Sequence, residues 1–287
     1  MAAEQLTPVG LDALPPREMA RKAEQVGVTK AGLDVATLFA LAVLAGAFIA
    51  MGAVFATTAT AGGGDLPYGV SRILAGLTFS LGLILVVVAG AELFTGNNLI
   101  VMAWASRRVS TLWLLRNWTI VYLGNFVGAL ATAALLYAGQ QYELGGGQVG
   151  VQAVSIAATK TGYGWWQALV LGMFCNALVC MAVWLCYSAR STADKVLAII
   201  PPIAAFVAAG FEHSVANMYF IPYGLFVKSD DAFMANQQAV PDLSDLTWGD
   251  FLWANLLPVT IGNIVGGAVM VGFIYWFIYL RPRPAQS

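Results

Sequence analysis

Six long stretches of this 287-residue sequence contain no charged side chain: residues 35–64, 73–91, 117–142, 161–189, 196–211 and 251–280. Because about 20 consecutive apolar residues cross the hydrocarbon core of a bilayer as a helix, four of these stretches are long enough to span a membrane. With 59% hydrophobic and only 10% charged residues, the chain is too apolar for a soluble domain of this length. The pattern predicts an all-α polytopic membrane protein.

The second and fifth stretches, residues 73–91 and 196–211, are short for a span. Each is followed by an acidic residue (Glu92 and Glu212, the latter next to the single histidine, His213) and then by 14 further uncharged residues. We therefore predict six transmembrane helices, of which spans 2 and 5 are broken in the middle.

Lysine and arginine are distributed unequally between the predicted loops. Of the 14 basic residues, 11 fall on one side of the membrane: Arg17, Arg21, Lys22, Lys30, Arg107, Arg108, Arg116, Arg190, Lys195, Arg281 and Arg283. The positive-inside rule places this side, with both termini, in the cytoplasm. We expect the membrane to be the bacterial cytoplasmic (inner) membrane. The expected division is a cytoplasmic N-terminal segment with a short helix and no cleavable signal (1–33), a six-span domain (34–281) and a cytoplasmic tail (282–287).

Two internal matches indicate a duplicated three-span unit. Residues 86–97 (V-V-V-A-G-A-E-L-F-T-G-N) align with residues 206–217 (F-V-A-A-G-F-E-H-S-V-A-N) and superimpose Glu92 on Glu212. The third and sixth stretches match in the same way, as N-W-T-I-V-Y-L-G-N-F-V-G and N-L-L-P-V-T-I-G-N-I-V-G. Since three is odd, the second copy enters the membrane from the opposite side. Inverted repeats with breaks at matching positions are typical of transport pathways.

The two intramembrane glutamates need partners, because a charge at the bilayer centre costs roughly 2.5 to 3.5 kcal/mol on insertion scales. Each follows a glycine that can end a helix. We expect Glu92 and Glu212 to accept backbone N–H groups freed by the break and to face the positive end of the next half-helix. The alternative is that the two carboxylates line a pore and select cations.

His213 occupies the place that Leu93 has in the first repeat, so the repeat itself does not require a polar group there. A lone histidine is usually structural. Here it lies in a broken span beside a buried acid, with Thr95 of the other break as a hydrogen-bond candidate, and it can offer a proton at cellular pH. This combination favours a functional role in moving a small weak-acid anion.

Other candidates are less distinctive on their own. Apolar residues near the breaks, such as Leu83, Phe94 and Phe206, are normally core or lipid-facing. Lys160 falls in a predicted long loop after the third span, and Asn176 would by itself be a helix-packing amide. Pairing of the cysteines within the fourth stretch into disulfides is implausible, and we expect Cys175, Cys180 and Cys186 to pack as small apolar residues.

The motifs A-G-A-E-L-F-T-G-N-N, G-F-E-H-S-V-A-N-M-Y-F-I-P-Y-G and L-L-P-V-T-I-G-N-I-V-G-G together resemble the formate/nitrite transporter family, and most closely its formate channels. The similarity runs from about residue 20 to the C-terminus. It implies an aquaporin-like protomer assembled as a homopentamer with one anion pore per subunit. Formate is the expected substrate, with nitrite or hydrosulfide left open because the Gly96, Asn97, Asn98 run departs from the formate-channel pattern.

The resemblance also implies roles for matching positions. The substrate pathway is expected to contain Leu83, Leu93 and Phe94 at a cytoplasmic constriction, Phe206 at a second constriction, His213 and Thr95 between them, and Lys160 and Asn176 at the periplasmic mouth, with Glu92, Glu212 and Asn217 in support. A lysine field and a proton exchanged near His213 would let the anion cross the apolar constrictions as its neutral acid.

Other function classes fit less well. A neutral-solute pore of the aquaporin type normally shows paired N-P-A motifs, and the sequence has none. A haem-binding membrane anchor with two histidine ligands is excluded by the histidine count of 1. No phosphate-binding G-x-x-x-x-G-K-[ST] loop occurs, so ATP-driven transport by this chain alone is not expected. We predict a non-enzymatic channel without cofactor, metal or nucleic-acid partner, surrounded by lipid.

Overall fold

The computed structural model describes residues 13–64, 66–237 and 240–282. The first 12 residues of the predicted N-terminal segment and residues 283–287 of the predicted tail lie outside the described part. All regular structure within it is helical. Five helices are long and apolar enough to cross a membrane, namely Val35–Thr60, Tyr68–Ala89, Thr111–Ala138, Trp165–Ser188 and Trp248–Tyr279. We number these as spans 1, 2, 3, 4 and 6 in keeping with the predicted order.

Span 5 consists of two shorter helices, Thr192–Ala208 and Ser214–Lys228. Span 2 is also interrupted: after Tyr68–Ala89 the chain turns and continues as a second half over residues 94–105, which contains a 3-10 turn at Asn98–Ile100. Both predicted interruptions are therefore present. We call residues 90–93 and 209–213 the first and second break.

The first break lies later in span 2 than the middle, contrary to the sequence prediction, whereas the second break lies in the middle of span 5, as predicted. The first half of span 2 has 22 residues because it begins at Tyr68, before the charged residue Arg72. Arg72 is tolerated inside this helix because its guanidinium donates to the backbone carbonyls of Val207 and Ala208, at the end of the first half of span 5.

Glycine ends the first half of each broken span. Gly90 has φ 85° and Gly210 has φ 75°. This left-handed conformation costs glycine little and is strongly disfavoured for residues with a Cβ atom. The helix therefore stops at these two positions, and the next residues run extended before the second half begins.

The N-terminal helix Pro16–Ala31 begins with proline in its first turn, as predicted. It is docked rather than free at the surface, since Met19, Ala20 and Ala23 are buried against Met102 and Trp184. This docking places Lys30, in the last turn of the helix, beneath the first break.

The predicted loop after span 3 contains a second docked helix, Gln148–Thr161, which includes Lys160. The sequence prediction of a loop was wrong here because Gly145, Gly146 and Gly147, all with positive φ, form a turn that precedes the helix. Gly224, in the second half of span 5, packs closely on Ala157 of this helix.

Small residues let the spans approach closely. A Cβ atom added at Gly128 would collide with the Val43 carbonyl oxygen, and one added at Gly266 would collide with that of Met173. Such contacts between backbones are the usual means of helix packing in membranes. The three cysteines of span 4 are buried free thiols, as predicted.

Candidate functional site

The second half of span 5 begins at His213, whose ring contacts residues on both sides. Its Nδ1 accepts a hydrogen bond from the Ala216 amide at 3.0 Å, so His213 is the N-cap of this half-helix. Its Nε2 lies 3.0 Å from Thr95 Oγ1, and His213 and Thr95 are 3% and 0% exposed. Because Nδ1 is an acceptor, the neutral ring carries its hydrogen on Nε2 and donates it to Thr95.

This contact joins the two breaks, as the sequence suggested. The Thr95 hydroxyl hydrogen has no acceptor among residues 13–64, 66–237 and 240–282 and can point toward a small molecule. Charging the imidazole requires a proton on Nδ1, which would displace the Ala216 amide from the cap. Protonation of His213 is therefore coupled to opening of the first turn of a half-helix.

Two vestibules lead toward this contact from opposite breaks. The Lys160 vestibule is lined by Phe206, His213, Glu212, Lys160 and Arg72 among others. The Lys30 vestibule, next to the first break, is lined by three lysines, one glutamate and apolar residues, including Lys22, Lys30, Lys195, Glu92, Leu83 and Leu93. Five of the predicted pathway residues thus divide between two cavities, Lys160, Phe206 and His213 in one and Leu83 and Leu93 in the other, whereas Thr95, Phe94 and Asn176 line neither.

Apolar side chains flank the contact on both sides. Phe206 stacks on the His213 ring with centroids 6.0 Å apart. Leu83 and Leu93 are each 2% exposed, at the inner end of the Lys30 vestibule. Phe94 is buried against Tyr122, with ring centroids 4.9 Å apart, and lines neither vestibule.

Glu92 is held by a cluster of side chains beneath the first break. Its carboxylate lies 2.8 Å from Lys30 Nζ and accepts from Asn97 Nδ2 at 2.7 Å. Lys30 Nζ also donates to Asn97 Oδ1 at 2.9 Å. Asn117 completes the cluster by accepting from Asn97 and donating to the Lys30 carbonyl.

Glu212 has the corresponding cluster in the second break. Its carboxylate lies 2.7 Å from Lys160 Nζ and accepts from Asn217 Nδ2 at 2.7 Å. Asn255 accepts from Asn217 and donates to the Lys160 carbonyl. The second cluster lacks the equivalent of the hydrogen bond from Lys30 to Asn97. In the described part of the chain, the buried Asn217 Oδ1 has no partner and Lys160 Nζ donates to Glu212 alone.

The freed backbone amides of the breaks bind asparagines, not the glutamates as the sequence predicted. The Phe94 amide donates to Asn125 Oδ1 and the Ser214 amide to Asn263 Oδ1, each at 2.9 Å. A neutral amide side chain can accept from the break and donate to a neighbouring carbonyl at once, which a carboxylate cannot. The glutamates are instead free to neutralise the lysines.

Asn176 does not lie at a mouth. It is fully buried and donates to Asn98 Oδ1 at 2.9 Å and to the Asn263 carbonyl at 2.6 Å. The expectation that Asn176 draws anions to the surface was wrong, because the amide bridges the two halves of the molecule instead. Asn98 in turn donates to the Phe94 carbonyl, which extends the hydrogen-bonded network to the start of the second half of span 2.

The site residues that the sequence analysis missed are Lys30 and five asparagines, namely Asn97, Asn117, Asn125, Asn255 and Asn263. The internal match had aligned Asn117 with Asn255 and Asn125 with Asn263. Lys30 could have been found by extending the alignment toward the N-terminus, since it precedes Lys160 by 130 positions, the offset that also relates spans 1 and 4 at Leu41 and Leu171.

The electrostatics of the Lys30 vestibule are set by its basic residues. Lys22, on the N-terminal helix, donates to the Tyr187 carbonyl at 2.9 Å. Partial burial, with the nearby charges of Lys195 and Arg190, lowers the pKa of Lys22. A cation whose own neighbours repel it indicates a positive potential that favours a bound anion.

Comparison with known proteins gives consistent matches over the whole region. Residues 17–277 match the family described as formate/nitrite transporter. The chain is 45% identical over 273 residues to "Formate channel FocA" of Escherichia coli (strain K12), covering 94% of this chain and 96% of the relative. It is 41% identical over 263 residues to the protein of the same name from Haemophilus influenzae, covering 91% and 93%.

Solved structures agree. A structure described as "Pentameric formate channel with formate bound" superimposes with a TM-score of 0.81 at 46% identity, covering 86% of this chain and 98% of the other. A second, described as "FNT family ion channel", gives a TM-score of 0.74 at 29% identity and covers 91% of this chain and 98% of the other. The relatives are membrane channels rather than enzymes.

Proposed function

The chain belongs to the formate/nitrite transporter family, a group of multi-pass membrane proteins, and from this premise we propose that it is a channel for small monovalent weak-acid anions, formate first among them. The observation that carries the proposal is the buried Thr95–His213 contact between two vestibules in which basic residues outnumber acidic ones. One such pathway is complete within a single chain. The similar solved formate channel is pentameric, which supports a homopentamer with one pore per subunit.

An excess of positive charge in both vestibules favours anions. Arg72 and Lys160 outnumber Glu212 in one vestibule. In the other, Lys22, Lys30 and Lys195 outnumber the single Glu92. A neutral-solute pore would not need this excess, so the charge distribution is the feature that separates the two classes.

The apolar residues that flank the contact determine the form in which the substrate crosses. A bare anion passing Phe206 or Leu93 loses its hydration, whereas the neutral acid loses much less. We propose that a charged His213 gives one proton to the carboxylate of formate. Neutral imidazole and neutral formic acid result, and the ring then returns to its cap on the Ala216 amide.

We further propose that the halves of the chain are inverted repeats in one six-span domain (34–281), with both termini in the cytoplasm of a bacterial inner membrane. The matched Glu92 and Glu212 clusters support this arrangement, since the lysine–glutamate ion pair and the asparagine that donates to each glutamate recur in both halves of the chain. The Lys30 vestibule would then be cytoplasmic and the Lys160 vestibule periplasmic.

Flux through purified protein in liposomes tests the proposal. Formate, nitrite, hydrosulfide, acetate and the neutral solutes water and glycerol are compared under matched gradients. We expect the weak-acid anions to cross and the neutral solutes not to. Faster nitrite than formate would reassign the preferred anion within the family, while glycerol flux without anion flux would contradict the proposal.

A further inference from the structure

The second half of span 2 ends at an arginine in a backbone conformation that usually belongs to glycine. Arg107 has φ 61°. Its amide donates to the Trp104 carbonyl at 2.8 Å, and the Arg108 amide donates to that of Ala103 at 2.9 Å, so Arg107 occupies a left-handed position at a helix C-terminus. A long side chain is disfavoured there. Outliers of this kind are found where the side chain has a function of its own.

The Arg107 side chain lies between two grooves on the outside of the protomer. Both grooves are lined by Arg107 and Trp276. Trp104 and Phe273 line one of them, and Leu280 lines the other. Arg107 is exposed, as are the neighbouring apolar side chains of Phe273 (38%) and Trp104 (38%).

Hydroxyl groups fix the aromatic walls of these grooves. Trp104 Nε1 donates to Thr111 Oγ1 at 3.0 Å, and Trp276 Nε1 donates to Ser106 Oγ at 3.0 Å. Tryptophan rings held by polar partners beside apolar side chains are characteristic of the level where lipid headgroups meet acyl chains.

The charge of Arg107 is not neutralised by the protomer. The neighbouring Arg108 donates to Glu24 at 2.9 Å and to Gln25 at 2.7 Å. The guanidinium of Arg107, by contrast, has no hydrogen bond or ion pair with any residue in the described part of the chain. Its planar set of N–H donors matches two oxygens of a phosphate group.

We propose that Arg107 and the two grooves bind an anionic phospholipid. The guanidinium contacts the phosphodiester, and the acyl chains lie along the apolar surface that begins at Phe273 and continues toward the membrane centre through Met270 (37% exposed) and Val269 (51% exposed). Basic residues predominate at this end of the spans, which favours anionic over zwitterionic headgroups. The lipid would brace the ends of spans 2 and 6 against each other.

The test is thermal unfolding of the delipidated oligomer in neutral detergent, with phosphatidylglycerol, phosphatidylcholine or inorganic phosphate added. We expect phosphatidylglycerol alone to raise the midpoint of the parent. Arg107→Gly removes the side chain and relieves the backbone. Without lipid it should unfold at the same or a higher temperature, yet lose at least half of the increase that phosphatidylglycerol gives. Arg21→Gln removes one charge elsewhere on the same side and should keep the full increase.

Three results would overturn the proposal. An undiminished lipid increase in Arg107→Gly would mean that the lipid binds elsewhere. An equal increase from inorganic phosphate or phosphatidylcholine would remove the specificity for an anionic lipid. A lower midpoint of Arg107→Gly in the absence of lipid, with dissociation of the oligomer, would make Arg107 a contact between protomers.

Discussion

In the first break the buried glutamate Glu92 is followed by Leu93, whereas in the second Glu212 is followed by His213. Both glutamates pair with a lysine, at 2.8 Å for Glu92 and 2.7 Å for Glu212, and both accept from an asparagine five residues later. Because leucine fills the same place in a break of the same construction, the fold does not require a titratable ring there. From this difference we propose that the shared cluster is architectural and that the histidine is functional.

The lysines of the two breaks differ as well. Lys30 Nζ donates to both Glu92 and Asn97. Lys160 Nζ donates to Glu212 and to no other group in the described part of the chain, and it faces the vestibule that contains His213. We infer that Lys160 keeps two of its three N–H donors for a passing anion, whereas Lys30 keeps one. Substitutions in the two breaks can test this difference, and they follow in order of decreasing effect on the stability of the oligomer.

The largest loss is expected when either glutamate is removed. Glu212→Ala leaves the Lys160 ammonium, whose side chain is 14% exposed, without its counter-charge, at a cost of about 3 kcal/mol. Glu92→Ala should cost less, because the Lys30 side chain is 28% exposed and can reach water. Thermal unfolding of the purified oligomer measures both.

Glu→Gln at each position is the matched control, since glutamine retains an acceptor for the lysine and should be milder. Unchanged midpoints together with cation leakage would contradict the structural role. That result would support the alternative in which Glu92 and Glu212 line the pore.

A smaller loss is expected from the asparagines that bind the breaks. Asn125→Ala and Asn263→Ala each leave a buried amide, that of Phe94 or Ser214, without an acceptor, at roughly 1 to 3 kcal/mol. Asn→Asp restores the acceptor and should recover part of the loss. Markedly unequal unfolding midpoints for the two alanine variants would show that the two breaks are not structurally equivalent.

Neutralising each ion pair as a unit should separate flux from stability. Lys160→Met combined with Glu212→Gln, and Lys30→Met combined with Glu92→Gln, leave no buried charge unpaired, so the oligomer should lose little stability. We expect anion flux to fall about tenfold in the first variant at low salt, and less in the second. High salt should reduce the difference in anion flux between each variant and the parent, because salt screens the charge of the lysine that the parent retains.

Liposome flux at low and high salt provides the measurement. If the variant with Lys160→Met and Glu212→Gln has the same anion flux as the parent at both salt concentrations, Lys160 has a structural role and does not attract the anion. Equal losses in the two variants would show that the extra bond of Lys30 to Asn97 has no functional consequence.

The features that follow from local sequence were predictable. Gly90 and Gly210 end helices because of their own backbone freedom, and the aligned glutamates marked both breaks. The Thr95–His213 contact was foreseen because the repeat placed the two residues at neighbouring depths.

The partners that depend on docking were not predictable. Lys30 contacts Glu92 only because the helix of residues 16–31 docks next to the first break. The sequence pattern predicted a polar helix there but did not indicate where it docks. Likewise, three glycines before residue 148 indicated a loop, although they lead into the helix that carries Lys160. The environment of Asn176 depends on how spans 4 and 6 pack on the second half of span 2, which no local signal specifies.

The central claim is that His213 is the proton-exchanging group of the pore, and His213→Asn tests it most directly. Asparagine is a good N-cap, so it can accept from the Ala216 amide and still donate to Thr95, but it cannot titrate. We expect an oligomer of unchanged stability whose formate flux, measured in liposomes from about pH 5 to pH 8, has lost the parent's dependence on pH. A variant that keeps the parent's pH profile, or one that fails to assemble, would contradict the account.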